Sequence, residues 1–253
     1  MFRFRHRTPG KLRLLAGLFL LAGCQGDPAP LAPVTGPIEA PAPPNLTLLA
    51  LGDSYTVGQG ARGGSSWPAQ LVAALAVEGD TLKTTAVIAE SGWNTGDLLG
   101  AVAQRFEVAS PTPPFGLVTL MIGANNQFQG VPLEETTADW IRLLDQAVTL
   151  AGGQPGQVLA VSIPDFSVTP LGGLLDPAAV SRDIDVHNAR LDTLCRARGI
   201  DLIDITPLSR QAGNDPSLVA RDGLHYTAEM YRRWVGLILP AARDRLHHVE
   251  PGE

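Results

Sequence analysis

From Leu46 onward, apolar runs of strand length alternate with segments of helical period, and that alternation confines the chain to one class of fold. Runs at 46–51, 82–89, 115–122, 158–163 and 200–205 read as five strands. Helices are expected between them: one from Trp67 with Pro68 in its first turn, one capped by Thr95 and reaching about Val108, and one over 133–151 ended by Gly152-Gly153. A fourth over 178–198 ends at Gly199, and a last one, capped by Thr227, runs to about Leu246. Such alternation is the signature of a parallel sheet with helices on both faces. The run at 115–122 is apolar throughout, as a strand buried on both faces must be. No internal repeat or second linker divides the segment, so it reads as one α/β domain occupying 45–253, with a short tail after the last helix.

In open sheets of this kind, ligands collect beyond the carboxyl ends of the strands. Ser54, Gly92 and Asn125 each fall just past an expected strand end. Ser54 follows Leu48-Leu49-Ala50-Leu51-Gly52-Asp53, where an apolar strand stops at a glycine and delivers a hydroxyl. A serine attacks well only when a base takes its proton and something holds the developing oxyanion. Only His187 and His225 lie well inside the domain. His225 sits in a glycine-containing loop ahead of the last helix, and Asp222, three residues earlier, is placed to curl back to its ring. A carboxylate on one ring nitrogen fixes the tautomer and leaves the other free to take the serine proton. His187, within an expected helix, reads as a partly exposed structural residue. Trp67 and Trp93 suit either an acyl pocket or the core.

Two other motifs point elsewhere and fail on context. Gly58-Gln59-Gly60-Ala61-Arg62-Gly63 fits the dinucleotide pattern, but Asp53 to Val57 separate it from the strand, and Glu78 and Asp80 precede the second strand rather than end it. It reads as a flexible loop near the site. The G-x-S-x-G elbow is absent, since Thr56 stands at the last glycine position.

Taken together, Gly52-Asp53-Ser54 with Thr56, Gly92, Gly123-Ala124-Asn125 and Asp222-Gly223-Leu224-His225 resemble the four ordered blocks of the SGNH, or GDSL, hydrolases. The resemblance implies a three-layer α/β/α, flavodoxin-like fold and a serine ester hydrolase that uses no metal and no other cofactor. By the same resemblance, Ser54 is the nucleophile, His225 the general base and Asp222 its orienter. The oxyanion hole would combine the backbone N–H groups of Ser54 and Gly92 with the side-chain amide of Asn125. The sequence departs from the family at Asn126, where an aspartate is usual, and at Tyr55, where leucine or isoleucine is common. Transfer of an acyl group to, or its removal from, envelope carbohydrate would use the same residues, and a binding module could retain the fold without catalysis.

The amino terminus carries Arg3, Arg5, Arg7, Lys11 and Arg13 and no acid, then an apolar run over 12–21 too short to span a bilayer. Leu21-Ala22-Gly23-Cys24 resembles the lipobox of bacterial lipoproteins, which implies a signal peptide over 1–23 and lipidation of Cys24. Gln25 after the cysteine implies an outer-membrane destination facing the periplasm. The proline-rich stretch over 24–44 reads as an extended tether. The net charge of −6 becomes −11 without the first 23 residues, because 14 basic residues then face 25 acidic ones. No basic stripe follows Arg13, which argues against a nucleic-acid partner; the family resemblance implies a small-molecule, lipid or glycan ester as substrate. Lipidation would leave Cys195 alone, as a buried core residue rather than a reactive thiol.

Overall fold

A computed structural model describes residues 46–107 and 114–247. The segment over 1–23, Cys24 and the stretch to residue 44 lie outside them, as does the expected helix end at Val108.

The five strands are β1 (Thr47–Gly52), β2 (Thr84–Ala89), β3 (Leu117–Met121), β4 (Val158–Val161) and β5 (Asp201–Ile203). They pair in parallel in the order β2-β1-β3-β4-β5, so the chain's direction of travel across the sheet reverses between β1 and β3. Side chains alternate faces along each strand. Leu48, Leu117, Met121, Leu159 and Val161 join one apolar cluster, whereas Leu49, Leu51, Val118, Leu120, Val158 and Ala160 join another. Both faces are therefore dry, and both need helices.

The first face is covered by α2 (Trp67–Val77) and by the last helix, Ala228–His247. Trp67, Leu71 and Leu75 recur every fourth residue, so α2 presents one apolar stripe. The second face is covered by α3 (Thr95–Glu107), by α5 (Leu133–Leu150) and by the carboxyl-terminal half of α6 (Pro177–Arg196), which adds Leu191 and Cys195. This is the expected three-layer α/β/α arrangement.

Several boundaries differ from the sequence reading, each for a local reason. At the end of β4 the side-chain amide of Asn188 bonds both the N–H and the C=O of Ile163, at 2.9 and 3.0 Å, and takes the place of a strand partner. The last strand stops at Ile203 because Asp204 turns back to accept from the Ser162 hydroxyl and the Thr206 N–H. Asn94, not Thr95, caps α3: it accepts from the Asp97 N–H while Asp97 accepts from its own. The Thr227 hydroxyl donates to the carbonyls of Ser217 and Leu218 instead of capping the final helix. Two short helices went unread, α1 (Ser54–Val57) directly after β1 and α4 (Ala124–Gln129) directly after β3, and a third, α7 (Thr206–Ser209), precedes the final helix, α8.

Cys195 is buried, and burial pushes its thiol up to about 12, so it is inert. His187 is also buried rather than partly exposed: its Nδ1 lies 2.8 Å from the Asp183 carbonyl, and its ring meets Trp140 edge-on. His247 belongs to α8 and not to a tail, its Nε2 lying 3.0 Å from Asp80.

Candidate active site

Gly52 ends β1 in a space that admits no side chain. A Cβ there would lie 2.1 Å from the Thr56 hydroxyl and 2.5 Å from the Met121 carbonyl of β3. Asp53 then caps α1, its carboxylate accepting the Tyr55 N–H at 3.0 Å. The tight turn puts Ser54 at the first helical position, at the edge of the sheet where its direction reverses.

The partner comes from the far end of the chain. His225 Nε2 lies 3.0 Å from Ser54 Oγ, and His225 Nδ1 lies 2.9 Å from Asp222 Oδ2. With the proton on Nδ1, the ring donates to Asp222 and accepts from the serine hydroxyl. Asp222 is itself fixed by accepting the N–H groups of Leu224 and His225 at 3.0 and 2.9 Å. Burial pushes its carboxyl up, but these two N–H groups and the His225 ring outweigh that and hold it below the usual carboxylate range. The Tyr55 ring leans on His225 with centroids 5.4 Å apart.

Asn125 lines the same cavity as Ser54, and its amide donates to the Trp93 carbonyl at 2.9 Å. One of its two N–H bonds is thereby anchored and the other remains for a ligand. Gly92 lies in the loop after β2, with φ of 88° and its carbonyl accepting from Gln129; it does not line the cavity. The cavity holds about 70 Å³ and is walled by Tyr55, Ala124, Phe128, Phe166 and Leu224. A larger space of about 700 Å³ opens at the other end of the sheet, around Phe115, Gly152, Gly199 and Leu246, and holds none of these groups. Among the described residues, no cluster of His, Cys, Asp and Glu is arranged to hold a metal, and no helix is long and apolar enough to cross a membrane.

A nucleophile, a base and a carboxylate in hydrogen-bonded series at a strand end can carry out acyl transfer. Comparison with known families gives the same chemistry: residues 50–233 match the GDSL-like lipase/acylhydrolase family. The chain belongs to this family. It is a carboxylic ester hydrolase.

No curated protein matches the sequence. Solved structures resemble the GDSL hydrolase in fold. A member of the lipolytic G-D-S-L family from Veillonella parvula is 18% identical with a TM-score of 0.56, over 78% of this chain and 96% of that one. LAE5, an α/β hydrolase enzyme from the metagenome of Lake Arreo, is 20% identical with a TM-score of 0.62, over 81% and 98%. The lipase Lip_vut3 from a goat rumen metagenome is 19% identical with a TM-score of 0.60, over 80% and 100%.

Of the two places open to Trp67 and Trp93, both take the core: Trp67 is fully buried and Trp93 packs against the second apolar cluster. The cavity is walled instead by Phe128 and Phe166. Phe128 stands three residues after Asn125, so recognising α4 would have found it. The glycine-rich stretch after α1 is near the site but is tied down at Gln59. That residue's backbone binds Ser54 O and the Tyr231 hydroxyl, and its side chain accepts from Ser91. Behind the cavity, fully buried Asp165 accepts from Ser167, Ser181 and Arg210, while its carbonyl accepts from the Tyr226 hydroxyl. This network fixes Phe166 and the residue next to His225.

Asn126 faces away from the cavity. Its carbonyl accepts the Thr95 N–H at 3.0 Å and its amide donates to the hydroxyls of Thr95 and Thr136 at 2.7 and 3.1 Å, stapling the β2–α3 loop to α4. The Thr95 hydroxyl is then free to donate to Asp139 at 2.8 Å. An aspartate at 126 could accept from the Thr136 hydroxyl but would compete with Asp139 for the single hydroxyl proton of Thr95. Asn126→Asp is therefore expected to cost about 2 kcal/mol, read by urea unfolding, and adding Asp139→Asn is expected to restore much of it. Equal stability of Asn126→Asp and wild type would contradict this assignment.

Proposed function

We propose that the enzyme cleaves carboxylic esters through an acyl-Ser54 intermediate, and that it does so at the cell envelope, held there by a lipid on Cys24. The observation that carries the catalytic part is the unbroken series from Ser54 Oγ through His225 to Asp222, with contacts of 3.0 and 2.9 Å. His225 takes the serine proton as Oγ attacks the ester carbonyl. The tetrahedral oxyanion is held by the N–H of Ser54 and by the free amide N–H of Asn125, both of which line the cavity. Collapse expels the alcohol, protonated by His225. The same imidazole then deprotonates a water that attacks the acyl carbon, releasing the acid and restoring Ser54.

A fluorophosphonate probe is expected to label Ser54, located by peptide mass spectrometry, with no labelling of Ser54→Ala. An unlabelled wild type, or a variant labelled equally, would reject the mechanism. The envelope reading rests on the basic, apolar and Leu21-Ala22-Gly23-Cys24 segments in order. Cys24→Ala should move the protein out of the membrane fraction.

A further inference from the structure

The glycine-rich stretch after α1 walls a second cleft, on the other side of the His225 ring from Ser54. Gly60, Arg62 and Ser65 stand on one side of it and Arg221 and Asp222 on the other, around about 550 Å³. Asp222 bonds His225 Nδ1 while Ser54 bonds Nε2, so the ring separates this cleft from the cavity at the serine. The walls are fixed to each other. A Cβ on Gly60 would fall 2.6 Å from Ala220 Cβ and 2.8 Å from the Tyr226 carbonyl oxygen, so the stretch presses directly on the hairpin that carries His225. That hairpin is closed by the Ala220 N–H, which donates to the His225 carbonyl at 2.8 Å. The Gln70 amide donates to the carbonyls of Ser65 and Ala228, both at 2.9 Å, and ties the stretch to the start of α8.

Donors outnumber acceptors in this cleft. Neither the Arg62 nor the Arg221 guanidinium forms a hydrogen bond or an ion pair among the described residues, and the Ser65 hydroxyl has no partner there either. Asp222, the one carboxylate on the lining, is already engaged by the His225 ring and by the N–H groups of Leu224 and His225. Most arginines elsewhere in the described residues are neutralised, as Arg196 is by Asp192, Arg198 by Asp145 and Arg243 by Glu78. Two guanidinium groups left unpaired on one cleft, in a chain of net charge −6, therefore stand out. Their planar forks match the oxygens of a carboxylate or a phosphate and repel a metal ion or an amine.

We infer that this cleft is an oxyanion-binding site, taking a carboxylate or phosphate group between Arg62 and Arg221 with the Ser65 hydroxyl as a third donor. The group belongs either to the alcohol portion of an ester or to a free anion lodged beside Asp222. Binding at the cleft stands apart from the reading of Ser54 as nucleophile. The acidic surroundings weaken long-range attraction, so the affinity comes from the contacts themselves.

Calorimetric titration of the full chain with inorganic phosphate, at constant ionic strength, tests the site directly. Wild type is expected to bind saturably, and the double variant Arg62→Gln with Arg221→Gln about tenfold or more weakly. Arg105→Gln removes another unpaired arginine, on a separate cavity beside Trp93, and should bind as wild type does. Absence of saturable binding by wild type, or equal binding by wild type and the double variant, would overturn the site. Equal weakening by Arg105→Gln would overturn it as well, by reducing the effect to net charge. Hydrolysis of p-acetoxybenzoate and p-acetoxybenzamide then assigns the source. An anion carried by the ester gives wild type about tenfold higher kcat/KM on the benzoate relative to the double variant, with phosphate as a competitor. A free anion gives no such preference, and phosphate then changes the rate on both esters alike in wild type but not in the double variant. A wild type that binds phosphate through the two arginines and hydrolyses neither ester would keep the cleft and remove only the Ser54 reading.

Discussion

Replacing His225 with alanine is expected to lower kcat for a simple aryl ester by about 10⁴-fold or more, with KM changed by less than about threefold. The asymmetry follows from where the ring acts. Its Nε2 faces the Ser54 hydroxyl at 3.0 Å, so it contributes when the proton moves and not when the ester docks. Ser54→Ala should cost about as much, and the double variant no more than either single one, because the two groups act as a unit. Asp222→Asn should cost less, about 10² to 10³-fold. The Asp222 side chain is 37% exposed, so water shares in stabilising the imidazolium. Steady-state kinetics on the three single variants and the double variant, with melting curves as a control for folding, check the order. A double variant far slower than both singles would show that serine and histidine act independently and sink the acyl-enzyme mechanism.

The site was legible because its chemistry is written in short local blocks, each pinned to a strand end that hydrophobic patterning locates well. Ser54, Asn125, Asp222 and His225 converge as read, although 171 residues separate the serine from the histidine. What sequence hid was set by side chains bonding to backbone across the fold. Asn188 ends β4 from α6, and nothing in its own helix announces that it will. Likewise, α1 and α4 are too short for a periodicity signal, and with α4 went Phe128 and the wall it forms. His187 was misplaced because a lone histidine among polar helix neighbours carries no sign of the Trp140 ring packed against it. Asn125 faces the cavity and Asn126 does not, for a reason visible only in three dimensions: the second amide is consumed by Thr95 and Thr136.

Asp53, beside Ser54, should make the protein less stable as pH rises from about 4 to 7. The carboxyl is buried; one oxygen accepts the Tyr55 N–H, and the other has no partner among the described residues. Burial pushes its pKa from 3.8 up to about 7, against the smaller opposing pull of the backbone N–H groups of Tyr55 and Asp53 itself. In the unfolded chain Asp53 ionises near 3.8; in the folded chain it holds its proton to about 7. Between those values the folded state binds more protons, so stability falls with rising pH, and the loss is complete above about 7. The displacement amounts to about 4 kcal/mol. Glu229 and Asp222, both held below their ordinary values, act in the opposite sense, and what they contribute is lost only as pH falls below the unfolded carboxylate range. The two windows barely overlap, so the Asp53 effect can be read separately between pH 4 and 7. Urea unfolding at intervals from pH 4 to 8, for wild type and Asp53→Asn, isolates the effect: the wild-type curve should fall relative to the variant by about 4 kcal/mol. The slope is the readout rather than the level, because asparagine places a buried N–H₂ where the unpartnered oxygen was and carries its own cost. Parallel curves would mean that Asp53 is already ionised in the folded protein. In the proposed mechanism a protonated Asp53 would have a catalytic consequence as well: it would keep a negative charge away from the oxyanion formed on the ester carbonyl that Ser54 attacks, so the burial that costs stability at high pH would favour the transition state below it.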